Sequence, residues 1–193
     1  MESSSLALKR LDAETRPLHA RADEQWLGLL RPDVTLEDYV DRLSLAYGFV
    51  APYDAALAYL PNLGVRPRAR TTLLVRDLLA LGKTACEIAK LPMCLEIDPA
   101  CAASALGWIY VVERSALVHA GLLRHLRHRL PIASASAFLQ ADAMPFGPTW
   151  DELGRALDHA SSFEDLLAGA RDAFAVQRMW FTMARANPAR SYG

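Results

Sequence analysis

Apolar residues recur every three or four positions along most of the chain, which is the spacing that gathers them on one face of an α-helix. No segment shows the alternation of apolar and polar residues that is typical of a β-strand. The pattern therefore predicts an all-α fold of five to seven helices, packed as one domain over residues 1–193.

Capping residues and prolines indicate the ends of the first helices. The first helical region covers residues 6–30 but contains Pro17, which predicts two pieces with the second beginning near Thr15. Thr35, with Asp38 three residues later, predicts the start of a second helix, which Pro52 should bend. A third helix is predicted over residues 69–81, and a short helix with a loop over residues 83–97.

The fourth predicted helix is the longest. Asp98 suits its N-cap and Pro99 its first turn, and the helix should continue to about Arg129. Residues 131–148 contain three prolines and a glycine and are predicted to be mostly loop. Two further capping boxes predict the starts of the last two helices: Thr149 with Glu152, and Ser161 with Glu164.

Composition narrows the classes of function. The chain is 52% hydrophobic and 22% charged with a net charge of −1, which argues against disorder and against a nucleic-acid partner. Glu113 and Arg114 interrupt the longest apolar run, and the N-terminus lacks a signal-peptide pattern, so no membrane association is expected. Three cysteines without a CxxC spacing predict a reducing, cytoplasmic environment.

His19 is the first candidate for chemistry. It lies on the apolar side of the first helical region, where an imidazole can ligate heme iron. Asp23 follows four residues later on the same helix face, so its carboxylate is placed to support the ring. The alternative is a surface histidine with an ordinary partner one helical turn away.

The segment around His19 resembles the proximal helix of heme oxygenases, through the pattern Leu11, Thr15 and His19 at intervals of four. Residues 35–57, 106–123 and 163–181 are similar to the second, distal and last helices of the bacterial, biliverdin-producing members. The resemblance implies a helical bundle with a heme slot between the proximal first helix and the long, distal fourth helix. It also implies that His19 is the axial ligand of the heme iron and that Asp23, where the family commonly has Glu, supports it.

The distal helix departs from the family's Glu-Gly-Ser-x-Leu-Gly-Gly pattern, because residues 113–119 read ERSALVH and contain no glycine. In the family, glycines let this helix approach the heme closely and kink over it. The residues of this chain at the corresponding positions are Arg114, Ser115, Val118 and His119.

Three interpretations of this departure stay open. The distal helix sits farther back or is rotated, with Gly107 and Gly121 allowing a close approach, and catalysis survives. Alternatively, His119 reaches the iron from the distal side and blocks oxygen. In the third interpretation, Arg114 fills the oxygen pocket and excludes heme.

The resemblance implies an enzyme that opens heme oxidatively to biliverdin, iron and carbon monoxide, with heme as both substrate and cofactor. Oxygen and an external ferredoxin- or flavodoxin-type reductant or reductase would be required, and a bilin-using photoreceptor is a conceivable user of the product. The alternative is a family member that has lost catalysis and binds heme or a bilin, or acts as a helical interaction protein. A helical protein with no tetrapyrrole at all is the third hypothesis.

Overall fold

The computed structural model describes residues 5–60, 63–66, 68–143 and 147–186; the side chains of 142, 143, 147–149 and 183–186 are outside that description. Within these ranges the chain is all-helical, as predicted, and contains no β-strand. Its α-helices are α1 (Leu6–Leu27), α2 (Leu36–Ala58), α3 (Thr71–Ala80), α4 (Ala85–Ala89), α5 (Ala102–Ser115), α6 (His119–Arg127), α7 (Ala137–Ala143), α8 (Gly147–Asp158) and α9 (Phe163–Ala186).

The first helix is continuous, so the predicted break near Thr15 is wrong. Pro17 lies inside α1 on its exposed side, and Ala13, whose carbonyl loses its helical partner at Pro17, is exposed as well. Solvent can therefore satisfy that carbonyl. Thr15 faces the interior, and its hydroxyl donates a hydrogen bond to the Leu11 carbonyl at 2.8 Å.

The predicted start of the second helix at Thr35 and the predicted stop of the third helix at Gly82 are confirmed. The Thr35 hydroxyl accepts from the Asp38 N–H at 3.1 Å, and the Asp38 carboxylate accepts from the Thr35 N–H at 2.8 Å, which completes the capping box of α2. Helix α2 passes through Pro52 and ends at Ala58. Gly82, with φ of 94°, follows α3 in the left-handed region that glycine favours.

The long fourth helix is instead two helices with a different start, which corrects two expectations. Residues 98–100 are irregular, and Cys101 is the N-cap of α5 because its Sγ accepts from the Ser104 N–H at 3.5 Å. A 3₁₀ turn over Ala116–Val118 then separates α5 from α6. Helix α5 packs mainly against α9, whereas α6 packs mainly against α7. The interruption therefore allows each of the two helices to pack against a different neighbour.

A helix lies where residues 131–148 were predicted to be mostly loop. The Asp77 carboxylate, on α3, accepts from the N–H groups of Ala137 and Phe138, at 2.9 Å each, and so caps α7. Because this cap comes from 60 residues away in the sequence, no local signal announced it.

The last two helices begin at other residues than the capping pattern predicts. Helix α8 begins at Gly147, ahead of Thr149, whose side chain is outside the described residues. For α9, Ser162 rather than Ser161 supplies the cap, because its hydroxyl accepts from the Asp165 N–H at 3.2 Å. None of the helices in the described part of the chain combines the length and apolar character that a membrane span requires.

Two glycines set the distance between α5 and α9. A Cβ on Gly107 would lie 2.2 Å from the Leu166 carbonyl oxygen, and one on Gly169 would lie 2.3 Å from the Ser104 carbonyl oxygen. Gly107 thus permits a close approach of α5 to α9. Gly121 faces no atom within 4 Å and has no such role.

Candidate functional site

His19 is half-buried in the interface of α1 with α5 and α9. Its Nε2 lies 3.0 Å from the Thr15 hydroxyl and 3.3 Å from the Tyr110 hydroxyl on α5. The Phe174 ring of α9 lies on another side, with the ring centroids 5.7 Å apart. The imidazole is therefore held by polar groups on two helices and an aromatic ring on a third.

The two hydroxyls that contact Nε2 of His19 also have hydrogen-bond acceptors of their own. The Thr15 hydroxyl donates to the Leu11 carbonyl at 2.8 Å, and the Tyr110 hydroxyl donates to the Asp12 carboxylate at 3.2 Å. When each hydroxyl directs its single hydrogen to this acceptor, it presents only lone pairs to His19. The network is satisfied when Nε2 carries the proton.

His19 is electrostatically suited to remain neutral. Burial and the nearby Arg114 guanidinium lower the pKa of His19 below its ordinary value of 6.5, and the opposing effects of Asp12 and Asp23 do not outweigh them. The ring is consequently neutral at pH 7, which is the form that ligates metals.

Asp23 and Arg114 form a bidentate ion pair one helical turn from His19. The Arg114 Nη1 lies 2.9 Å from Asp23 Oδ1, and its Nη2 lies 3.2 Å from Asp23 Oδ2. The Arg114 and Asp23 side chains are only 11% and 19% exposed, so the pair is largely removed from solvent. In the described part of the chain, Thr15 and Tyr110 rather than Asp23 hydrogen-bond to His19.

These contacts fill the space predicted for a heme slot. His19 with Tyr110, and Asp23 with Arg114, join α1 to α5 at successive helical turns. No flat ligand fits between atoms that are already in hydrogen-bonding contact. The space between α1 and α5 beside His19 is therefore closed in this conformation.

Two of the other residues predicted for the distal side are Ser115, which is buried, and Val118, which is half-buried. Ser115 is buried; its hydroxyl donates to the Val111 carbonyl at 3.0 Å and accepts from the Gln177 amide at 3.2 Å. Val118, in the 3₁₀ turn, is half-buried and packs against the core. The structure therefore separates Ser115 from the Arg114 side of α5.

His119 lies in an aromatic cluster, with 2% of its surface exposed. Its ring centroid is 4.6 Å from that of Trp26 and 5.2 Å from that of Phe138. Trp26 is two helical turns beyond His19 on α1, so His119 packs beside a different part of that helix. Its ligation of iron stays a prediction.

A small cavity borders this cluster and encloses about 30 Å³. Its lining combines aromatic rings with the polar side chains of Arg70, Ser115, His119 and Gln177. Such a volume holds one or two water molecules and not a tetrapyrrole.

Sequence reasoning missed two groups around the site. Arg70 of the segment before α3 contacts Glu113 at 2.9 Å, both being 2% exposed, and Arg68 lies 3.5 Å from the same carboxylate. A glutamate inside the apolar α5 sequence was the available signal for a buried cation. Tyr110 precedes Arg114 by one turn and so shares its helix face, which was the available signal for its position.

Comparison with known protein families, curated proteins and solved structures found no match. In the described part of the chain, no three His, Cys, Asp or Glu side chains are placed together to hold a metal ion. The residues around His19 are therefore the basis for proposing a function.

Proposed function

We propose that this chain is a heme oxygenase-like protein that binds a tetrapyrrole, heme or a bilin, at His19 but does not open the heme ring. The observation that carries the proposal is the bidentate pair of Asp23 and Arg114 beside His19. Arg114 occupies the position at which the family that the sequence resembles has the first glycine of its distal motif.

The environment of His19 supports tetrapyrrole binding. A single imidazole suits a metal whose remaining ligands come with it, as the four pyrrole nitrogens of heme do. The pKa of His19 is lowered, so the neutral, ligating form is already present at pH 7. The Phe174 ring, with its centroid 5.7 Å from that of His19, adds an apolar neighbour for a flat aromatic ligand.

The substitution at position 114 supports the loss of ring opening. A helix approaches a bound ligand closely where it carries glycine, because no Cβ intervenes. A guanidinium at that position adds bulk and a cation with five N–H donors, whether or not it is paired with Asp23. We therefore expect the side of the iron opposite His19 to be unable to hold and direct oxygen.

Ring opening is the second candidate function, and one observation favours it. The 3₁₀ turn over Ala116–Val118 interrupts the distal helix within the stretch that carries the family's glycines. The helix is thus interrupted at this point without glycine. If this turn restores space above the ligand, the protein would use oxygen and electrons from a ferredoxin- or flavodoxin-type reductant or reductase.

A hemin titration followed by absorption spectroscopy tests the proposed function. We expect a saturable Soret band in the wild type that is lost in His19→Ala. His159→Ala removes an exposed histidine in the turn after α8 and is the matched control, which should bind like the wild type. A band that does not saturate, or that His19→Ala leaves unchanged, would contradict the proposal.

A further inference from the structure

We infer that Asp23 and Arg114 form a latch, which closes α1 against α5 over His19 and must open before a ligand reaches the imidazole. The identity of that ligand rests on the proposed function. The latch itself rests only on contacts within this chain and makes a prediction for the ligand-free protein.

The latch lies one helical turn from the contact between His19 and Tyr110. Asp23 follows His19 by one turn on α1, and Arg114 follows Tyr110 by one turn on α5. His19 contacts Tyr110, and Asp23 contacts Arg114, so two neighbouring cross-links join the two helices. The ion pair is the stronger of the two, because it is bidentate and charged on both sides.

The burial of the pair makes the closed form the stable one. The two side chains, 11% and 19% exposed, satisfy each other in a fixed arrangement with little competition from water. A ligand that binds only the open form has its apparent affinity reduced by the fraction of molecules that are open. Breaking the pair should raise that fraction and strengthen binding.

An ordinary surface pair on the same helix provides the comparison. Glu14 of α1 and Arg171 of α9 approach to 3.8 Å, with side chains 43% and 57% exposed. This pair joins α1 to another helix and makes no contact with His19. Neutralising it should therefore change neither the access to His19 nor ligand affinity.

The experiment measures access to His19 in the full-length, ligand-free protein. Diethylpyrocarbonate modifies unprotonated imidazoles, and peptide mass spectrometry reports the rate at His19 separately from the other histidines. We expect the rate to rise about tenfold in Asp23→Asn and in Arg114→Gln, if the pair contributes as a partly buried bidentate contact. Glu14→Gln should retain the wild-type rate.

The two variants also separate access from electrostatics. Removing the Asp23 charge lowers the pKa of His19, and removing the Arg114 charge raises it, so an electrostatic effect would move the reaction rates in opposite directions. A latch predicts faster modification in both. Equal rates in wild type and both variants, or opposite changes, would overturn the inference.

Hemin titration of the same variants distinguishes failure of the latch from failure of the proposed function. Tighter His19-dependent binding in both variants, by about tenfold, supports both proposals. Faster modification without saturable hemin binding supports the latch and overturns the proposed function. Hemin binding that is equally tight in all variants, with unchanged modification rates, overturns the latch alone.

Discussion

Gly107 lies where α5 crosses α9, and its replacement by alanine tests how closely the two helices pack. The added Cβ would lie 2.2 Å from the Leu166 carbonyl oxygen and 2.6 Å from the Ala170 nitrogen. Ordinary contacts of a Cβ begin at 3.4 Å, and both of these neighbours are backbone atoms. Helix α9 must therefore move by roughly 1 Å, because no side-chain rotation relieves the overlap.

The expected loss of stability follows from two opposing contributions. Overpacking of a tight interior costs about 1–3 kcal/mol, and a backbone clash belongs at or above the upper end. Alanine in place of a helical glycine stabilises the helix by about 1 kcal/mol, which offsets part of that cost. The net loss for Gly107→Ala should be about 2 kcal/mol or more, which lowers Tm by about 4–8 °C in a chain of this size.

Thermal unfolding followed by circular dichroism measures the effect, with Gly121→Ala as the matched control. Gly121 also lies inside a helix but faces no atom within 4 Å, so its replacement should raise Tm by about 2 °C. A Gly107→Ala protein as stable as Gly121→Ala would refute the close crossing of α5 and α9. Because Arg114 lies on α5, the same result would also count against the position of Arg114 in the structure.

Three further predictions concern the core, a helix cap and pH. Glu113→Gln removes one charge of the buried pair with Arg70 and should cost about 3 kcal/mol in chemical denaturation, against no measurable loss if the pair is solvated. Thr35→Ala removes the hydroxyl that accepts from the Asp38 N–H and should cost about 1 kcal/mol, so an unchanged denaturation midpoint would contradict the cap. The folded-state pKa of His19 is lowered, so the unfolded chain binds the proton more readily and the free energy of unfolding should fall as pH drops below 6.5. His19→Gln should show a smaller decline between pH 7 and pH 5, and an identical decline in both proteins would contradict that direction.

Features determined by neighbours in sequence could be predicted, and Thr35 is the clearest example. Its capping box needs only the residue three positions later, so the start of α2 follows from local chemistry. Pro17 shows the limit of such signals. It was expected to break α1, but the helix tolerates it because the affected carbonyl lies on the exposed side.

Features determined by distant residues could not be predicted from local patterns. Asp77 caps α7 from another helix, so the sequence of residues 131–148 by itself predicts a loop. The interruption at Ala116–Val118 likewise reflects the different neighbours of α5 and α6. Propensity alone favours one continuous helix there, and packing overrides it.

The part of the candidate site that lies on one helix could be predicted, whereas the part that comes from a second helix could not. His19 and Asp23 share one helix, so their placement on one face follows from the four-residue spacing. The partner of each comes from α5, and only the three-dimensional arrangement shows that Tyr110 contacts His19 and that Arg114 contacts Asp23.

A single-turnover experiment on the hemin-loaded protein tests whether the protein binds heme without opening the ring. Ascorbate is added in air, and the Soret band is followed in the wild type and in the double variant Arg114→Gly, Val118→Gly. We expect the wild-type band to persist and the variant, with side-chain bulk removed at positions 114 and 118, to begin to convert heme into a bilin. Decay of the wild-type band into a bilin spectrum would overturn the proposed function and would establish ring opening in its place.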